Sequence, residues 1–120
     1  MSSRTALRIS ALLGFLAVGL GAFGAHGLHD VLEKNGRLGT WDTAVLYHLA
    51  HAVAMLVVAT LHPLRRAAWW LLFAGVLVFS GSLYVLALAN LKWLGAITPL
   101  GGISLLAGWI ALAFGKPGEE

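Results

Sequence analysis

Histidine and tyrosine side chains are the groups in this sequence best able to do chemistry. His48 and His51 are three residues apart, and Tyr47 precedes His51 by four, so a helix would place each pair on a shared face. Imidazole nitrogens bind metals, transfer protons and exchange hydrogen bonds with hydroxyl groups. Further polar side chains recur in neighbouring segments. The candidate ligand-binding residues form a polar cluster of seven: His26, Tyr47, His48, His51, Ser80, Ser82 and Tyr84.

Several kinds of chemistry are open to the polar cluster. The imidazoles of His26, His48 and His51 are the candidate ligands of a metal or haem. Asp30 or Asp42 would add a carboxylate, although the glutamate of a zinc-protease helix is missing. A proton relay through histidine and tyrosine, or a pocket for a small lipid-like molecule, are further hypotheses. The pattern favours a structural role, with neutral histidines hydrogen-bonded between helices. No particular cofactor follows.

Residue patterns of the common enzyme classes are missing from the chain. There is no Ser-His-Asp arrangement, no pair of carboxylates within an apolar segment, and no glycine-rich phosphate loop after a strand. The absence of cysteine excludes disulfides, thiolate nucleophiles and iron–sulfur clusters. The 8 lysines and arginines are scattered rather than grouped in a basic stripe, which excludes a nucleic-acid surface. We therefore expect a protein that is not an enzyme.

The elements that position these residues follow from composition. Of the 120 residues, 59% are hydrophobic and only 11% are charged, with a mean hydropathy of +0.85. Soluble domains carry about 25% charged residues, and a chain this short cannot hide so much apolar surface from water. Lipid must be its solvent. The predicted fold class is all-α, an integral membrane bundle of four antiparallel transmembrane helices.

Four segments are long and apolar enough to cross a bilayer, which requires roughly 20 residues as helix. They form a single transmembrane domain over residues 1–120, with spans at about 6–25, 43–61, 67–89 and 98–114. Transmembrane strands would need alternating polarity, which these segments lack. The first segment also has features of a signal peptide, with Arg4 and Arg8 around its start and small residues at its end. We expect it to be retained.

Basic residues and loops predict the topology. One side of the membrane receives five basic residues, Arg4, Arg8, Arg65, Arg66 and Lys116, and the other receives three, Lys34, Arg37 and Lys92. This asymmetry predicts that the N- and C-termini are cytoplasmic. The indoles at the span ends are expected at the membrane surface: Trp41, Trp69, Trp70 and Trp93. A short amphipathic helix should lie within Leu28–Trp41 and stop at Asn35-Gly36, and residues 118–120 should form a polar tail.

Alternating span direction places the whole polar cluster in one half of the membrane and leaves the other half almost purely apolar. Small residues should form helix-packing faces. In the first span they are Ser10, Gly14, Ala17, Gly21 and Gly24, and in the fourth they are Gly101, Gly108 and Gly115.

A family resemblance rests on five motifs that occur in a fixed order. They are Gly21-Ala22-Phe23-Gly24-Ala25-His26-Gly27-Leu28, Trp41-Asp42-Thr43-Ala44, Tyr47-His48 with His51, Phe79-Ser80-Gly81-Ser82-Leu83-Tyr84, and Thr98-Pro99-Leu100-Gly101-Gly102. Together they cover nearly the whole chain, which resembles the small membrane proteins of domain-of-unknown-function family 423. The resemblance implies four spans in a bacterial inner membrane and supplies no activity, substrate or cofactor.

The function that we expect is that of an interaction or accessory protein, which forms a homo-oligomer or binds a larger membrane-protein partner within the lipid bilayer. The alternative is a membrane-embedded His/Tyr pocket for a metal, haem, proton or small lipid-like ligand. A second alternative is a small transporter or channel, which would have to be oligomeric because one chain of this size has little room for a path.

Overall fold

The computed structural model describes residues 1–116 and consists of helices in that range. Four long helices are joined by short connections: α1 (Ser3–Ala25), α3 (Leu38–Ala59), α4 (Arg66–Ala89) and α5 (Thr98–Phe114). The short helix α2 (His29–Asn35) links α1 to α3, and a 3₁₀ helix (Lys92–Ala96) precedes α5. Four segments of the described chain are long and apolar enough to cross a membrane, namely α1, α3, α4 and the 3₁₀ helix together with α5 (Lys92–Phe114). The predicted all-α membrane fold is confirmed, whereas the predicted polar tail of residues 118–120 lies outside the described residues.

Helix ends follow from local capping chemistry. The hydroxyl of Ser2 accepts a hydrogen bond from the backbone N–H of Thr5 at 3.1 Å, so α1 begins before its apolar stretch. The predicted end of α2 is confirmed. Gly36 caps the helix in a left-handed conformation at φ 69°. Helix α3 starts at Leu38, ahead of the predicted span, because residues 38–42 are already helical although they include the polar Thr40 and Asp42.

Each long helix packs chiefly against its neighbour in the chain. Helix α1 lies on α3, α3 on α4, and α4 on α5, whereas α1 and α5 do not pack together within the described residues. The bundle is therefore an open succession of helices with α3 and α4 in the middle. These two central helices are the more buried, and α1 and α5 expose most of their surface.

Glycines set the closest helix contacts. A Cβ at Gly101 would lie 2.8 Å from the Cα of Phe79, and one at Gly108 would lie 3.3 Å from the backbone nitrogen of Leu72. Helix α5 therefore rests on the backbone of α4, as expected for small residues in lipid. On α1, Gly24 contacts the indole of Trp41. Gly14 has open space around it, so its predicted place in the packing face is wrong.

Two of the tryptophans expected at the membrane surface are in the interior. Trp41 and Trp69 are fully buried, whereas Trp70 and Trp93 are exposed. The indole nitrogen of Trp41 donates to the carbonyl of Leu20 at 2.9 Å. That of Trp69 donates to Ser10 Oγ at 3.0 Å. An indole N–H that has an acceptor inside the protein no longer needs water. A position at the end of a span was therefore not enough to predict that these two rings are exposed.

Polar side chains also secure the ends of the central helices. The guanidinium of Arg65 donates to the backbone carbonyls of Ala111 and Gly115, at the C-terminal end of α5. A cation there satisfies orphan carbonyls and opposes the negative end of the helix dipole. Gly115 lies beyond the helix, so it acts through its carbonyl and not as part of a packing face. At the other end, the amide of Asn35 donates to the carbonyl of Ala87 at 2.9 Å.

Candidate functional site

His51 is a neutral histidine whose two ring nitrogens both have partners. Its Nδ1 lies 2.8 Å from the backbone carbonyl of Tyr47, and its Nε2 receives the indole N–H of Trp109 at 3.0 Å. A carbonyl only accepts and an indole only donates, so the hydrogen must be on Nδ1 and the lone pair on Nε2. Both nitrogens are thereby engaged. In this arrangement His51 has no lone pair left for a metal.

His48 is satisfied on one side only. Its Nδ1 lies 2.8 Å from the hydroxyl of Tyr84 on α4, and the two rings meet edge to face. Its Nε2 is buried and has no hydrogen-bond partner within residues 1–116. The side chain as a whole is 4% exposed. Of the polar atoms in the cluster, Nε2 of His48 is thus one that a ligand could engage.

The two serines of the polar cluster join helices. Ser80 Oγ donates to the carbonyl of Ala44 on α3 at 2.8 Å. Ser82 Oγ lies 2.6 Å from Thr98 Oγ1 at the start of α5. In lipid such bonds add modestly to association and fix the depth at which helices meet. Together with the His48–Tyr84 pair, they bring six of the seven predicted residues to one end of α3 and α4.

His26 stands apart from these six. It caps α1, is exposed, and lies beside Phe23 and Gly27. His26, His48 and His51 do not come within a common ligating distance in the described chain. Within residues 1–116, the potential metal ligands that do lie close together are His29, Asp30 and Glu33, on the mostly exposed helix α2. The carboxylates lie 3.8 Å and 3.5 Å from Nδ1 of the imidazole, and such exposed acidic groups are common on surfaces that hold no metal ion.

A groove opens beside His51, between α3 and α5 and above α4. Its volume is about 450 Å³. Tyr47 and His51 line it on α3, Phe79 forms its floor on α4, and Ile103 and Trp109 line it on α5. The rings of Tyr47 and Phe79 are 4.7 Å apart and continuous with that of His51. The groove is therefore aromatic and apolar, with its few polar atoms on the α3 wall and around the His51–Trp109 pair.

Two functional contacts escaped the sequence reasoning. Trp109 lies in the middle of the predicted fourth span, and an indole so far from the membrane surface needs an internal acceptor, which is the signal that would have found it. The half of the membrane expected to be almost purely apolar contains the buried bond from Trp69 to Ser10. Ser10 resembled a packing residue because it is spaced like the other small residues of the first span; in the structure its hydroxyl also donates to the carbonyl of Ala6.

Comparison with known proteins places these features in a family. The family model described as "Protein of unknown function (DUF423)" matches residues 20–102. The chain is 46% identical over 110 residues to the UPF0382 membrane protein YwdK of Bacillus subtilis, a match that covers 87% of this chain and 89% of that one. A UPF0382 membrane protein of Haemophilus influenzae is 45% identical over 117 residues, covering 92% and 91%.

No solved structure matches the chain. The relatives have bacterial sources and are named as membrane proteins, in agreement with the four apolar helices. The family model covers all or part of each of the five motifs on which the resemblance rested. The chain belongs to the DUF423 family of proteins of unknown function.

Proposed function

We propose that this protein is a non-enzymatic membrane protein that binds a lipid-like molecule in the groove between α3 and α5. The observation that carries the proposal is the groove itself, which has a volume of about 450 Å³ and an aromatic, apolar lining. Sites for small molecules typically measure about 300–1,000 Å³ and combine such a lining with a few placed polar groups.

The walls of the groove are fixed by contacts that do not involve a ligand. Gly101 and Gly108 let α5 rest directly on α4. The bond from Trp109 to His51 ties α5 to α3 at one end of the groove. Because these contacts hold α5 in place beside α3 without packing the two helices together, the space between them persists.

The hydroxyl of Tyr47 gives the groove a polar recognition group. The side chain is 41% exposed, lines the groove, and makes no hydrogen bond through its hydroxyl within residues 1–116. Its ring is held between Phe79 and His51, so the hydroxyl has a defined position. An apolar molecule with one hydroxyl, ester or carbonyl oxygen would match this combination of surfaces.

Binding of a metal or haem at His51 has less support, because both of its ring nitrogens are already engaged. The same arrangement argues against a proton relay through His51, since a second proton would turn Nε2 into a donor facing the indole donor. A binding role that uses His51 as a structural element fits these contacts better than a catalytic one.

Native mass spectrometry on protein extracted in mild detergent tests the proposal. The unsubstituted protein should retain a lipid-sized mass at close to one per chain. Ile103→Trp places an indole in the groove and should release that mass. Leu100→Trp is the matched control, because Leu100 is equally exposed on α5 but does not line the groove. Equal retention by both variants, or none by the unsubstituted protein, contradicts the proposal.

The interaction or accessory role is a second candidate, supported by the outer helices. Helices α1 and α5 each pack mainly against one long neighbour and present large apolar side chains outward, such as Phe15 and Phe114. A second copy or another membrane protein would find free helix faces there. Crosslinking in native membranes should yield a defined product, and a lone monomer would count against this role. A transporter or channel would require an oligomer with a polar lumen, which liposome flux would reveal.

A further inference from the structure

A second cavity lies between α1 and α4, on the side of the bundle that carries His48. It has a volume of about 140 Å³. Leu13 and Leu16 form its α1 wall, Leu77 and Gly81 form its α4 wall, and its surface is almost wholly apolar. An apolar cavity of about 150 Å³ in another protein accommodates benzene. This crevice therefore has room for one six-membered ring, with a path to the lipid.

His48 lines this crevice and carries a buried ring nitrogen without a partner. Nδ1 is engaged by Tyr84, so Nε2 is the ring atom still able to bond a molecule that enters the crevice. The backbone carbonyl of Leu13 is nearby but outside hydrogen-bonding geometry. A buried polar atom without a hydrogen-bond partner lowers the stability of the fold and is rare in proteins. A bound molecule that supplies the missing partner would remove this cost.

The hydrogen-bond pattern indicates what that partner must offer. If the Tyr84 hydroxyl donates to Nδ1, one group stays unsatisfied, the N–H at Nε2. If Nδ1 donates instead, both the phenolic hydrogen and the lone pair at Nε2 lack partners. The first arrangement leaves fewer buried polar atoms unpaired. The missing partner is therefore a hydrogen-bond acceptor.

We propose that the α1–α4 crevice binds the ring-sized, carbonyl-bearing end of a membrane-soluble molecule, whose oxygen accepts the Nε2–H of His48. A carbonyl brings no donor of its own, whereas a hydroxyl would add one facing apolar walls. The almost wholly apolar surface of the crevice favours a largely apolar guest over a water molecule, which needs two to four polar partners. The site is separate from the α3–α5 groove, and its occupancy does not depend on what the groove binds.

A matched pair of probes tests this site on the full chain in phosphatidylcholine nanodiscs. Duroquinone has a six-membered ring with two carbonyls, and durene has the same methylated ring without oxygen. Duroquinone should shift the ¹⁵N resonance of His48 Nε2 and the methyl resonances of Leu16 and Leu77 in a saturable manner. Durene should bind about tenfold more weakly, the upper range for one hydrogen bond.

Two variants separate recognition from folding. His48→Phe should reduce the affinity for duroquinone to that for durene. Leu16→Trp changes a half-exposed residue, retains His48, and should block both probes by filling the crevice. Equal affinity for the two probes overturns the proposal. So does an Nε2 resonance that is unchanged at saturation, or a persistent hydrogen bond from Nε2 to the carbonyl of Leu13.

Discussion

The indole nitrogen of Trp109 lies 3.0 Å from Nε2 of His51, and this bond joins α5 to α3, two helices that have little other close contact in the described chain. The bond requires neutral His51 with its hydrogen on Nδ1, a tautomer that the carbonyl of Tyr47 enforces. A residue of the fourth span thus fixes the chemical form of a histidine in the second. The contact belongs to the structure of the site and not to a reaction.

Replacing Trp109 with phenylalanine should lower the free energy of unfolding by about 1 kcal/mol. The ring remains, but His51 Nε2 loses its donor, and such bonds in membranes average about 0.6 kcal/mol before any cost of an unpaired atom. Unfolding in mixed micelles measures the change. Trp70→Phe is the control, because Trp70 is half exposed and makes no indole hydrogen bond within residues 1–116. Equal losses in both variants would refute the assignment.

Substitution of Ser10 with alanine should cost about 1–3 kcal/mol, because it leaves the buried indole N–H of Trp69 without an acceptor. Ser104→Ala provides the comparison. Ser104 donates to the carbonyl of Leu71, which keeps its hydrogen bond within α4 after the change. The Ser104→Ala variant should therefore lose only about 0.6 kcal/mol of its free energy of unfolding. The same unfolding titration applies, and a reversed order would show that Ser10 serves only to fill space.

Two glycine-to-alanine changes should shift the stability of the protein in opposite directions. Gly101→Ala places a methyl group against the backbone of Phe79, so α5 must move away from α4, at a cost of about 1–3 kcal/mol or more. Gly81→Ala meets nothing within 4 Å and should stabilise its helix by about 0.5–1 kcal/mol. Thermal unfolding in detergent distinguishes them. A neutral Gly101→Ala would mean that α4 and α5 are not in backbone contact.

The predicted topology can be read from single cysteines, since the chain contains none of its own. Glu33→Cys on α2 should react with a membrane-impermeant maleimide in intact cells whose outer envelope has been opened. Thr5→Cys near the N-terminus should react only after the inner membrane is permeabilised. Both positions are exposed, and neither change alters the lysine and arginine distribution that directs insertion. The opposite labelling pattern would invert the proposed orientation.

The helices and their common polar end were predictable, whereas their partners were not. Spans are long apolar runs, and alternating direction alone brings Tyr47 and Tyr84 to the same end of the bundle. Which faces meet is not encoded in periodicity, because a helix that is apolar on all sides has no distinct inner face. Trp69 is indistinguishable in sequence from the surface residue Trp70 beside it, and only packing separates them.

The polar cluster shows the same division. Spacing and span direction place the candidate residues of α3 and α4 at the same end of the bundle, but they could not show that His51 would be satisfied by Trp109 and that His48 would keep an unpartnered nitrogen. That difference arises because His51 faces α5 while His48 faces α1 and α4. His26 was included in the polar cluster because it ends the first span. In the structure it caps α1 and is exposed.

The open succession of helices also bears on how the chain is made. Because α3, α4 and α5 each pack on the long helix synthesised just before them, assembly can proceed pairwise as segments leave the insertion machinery, with few long loops to close. The α1–α3 hairpin, with Trp41 already bonded to Leu20, is complete before α4 emerges. The Trp109–His51 bond can form only after α5 has been made, so the α3–α5 groove is completed after the α1–α3 and α3–α4 contacts.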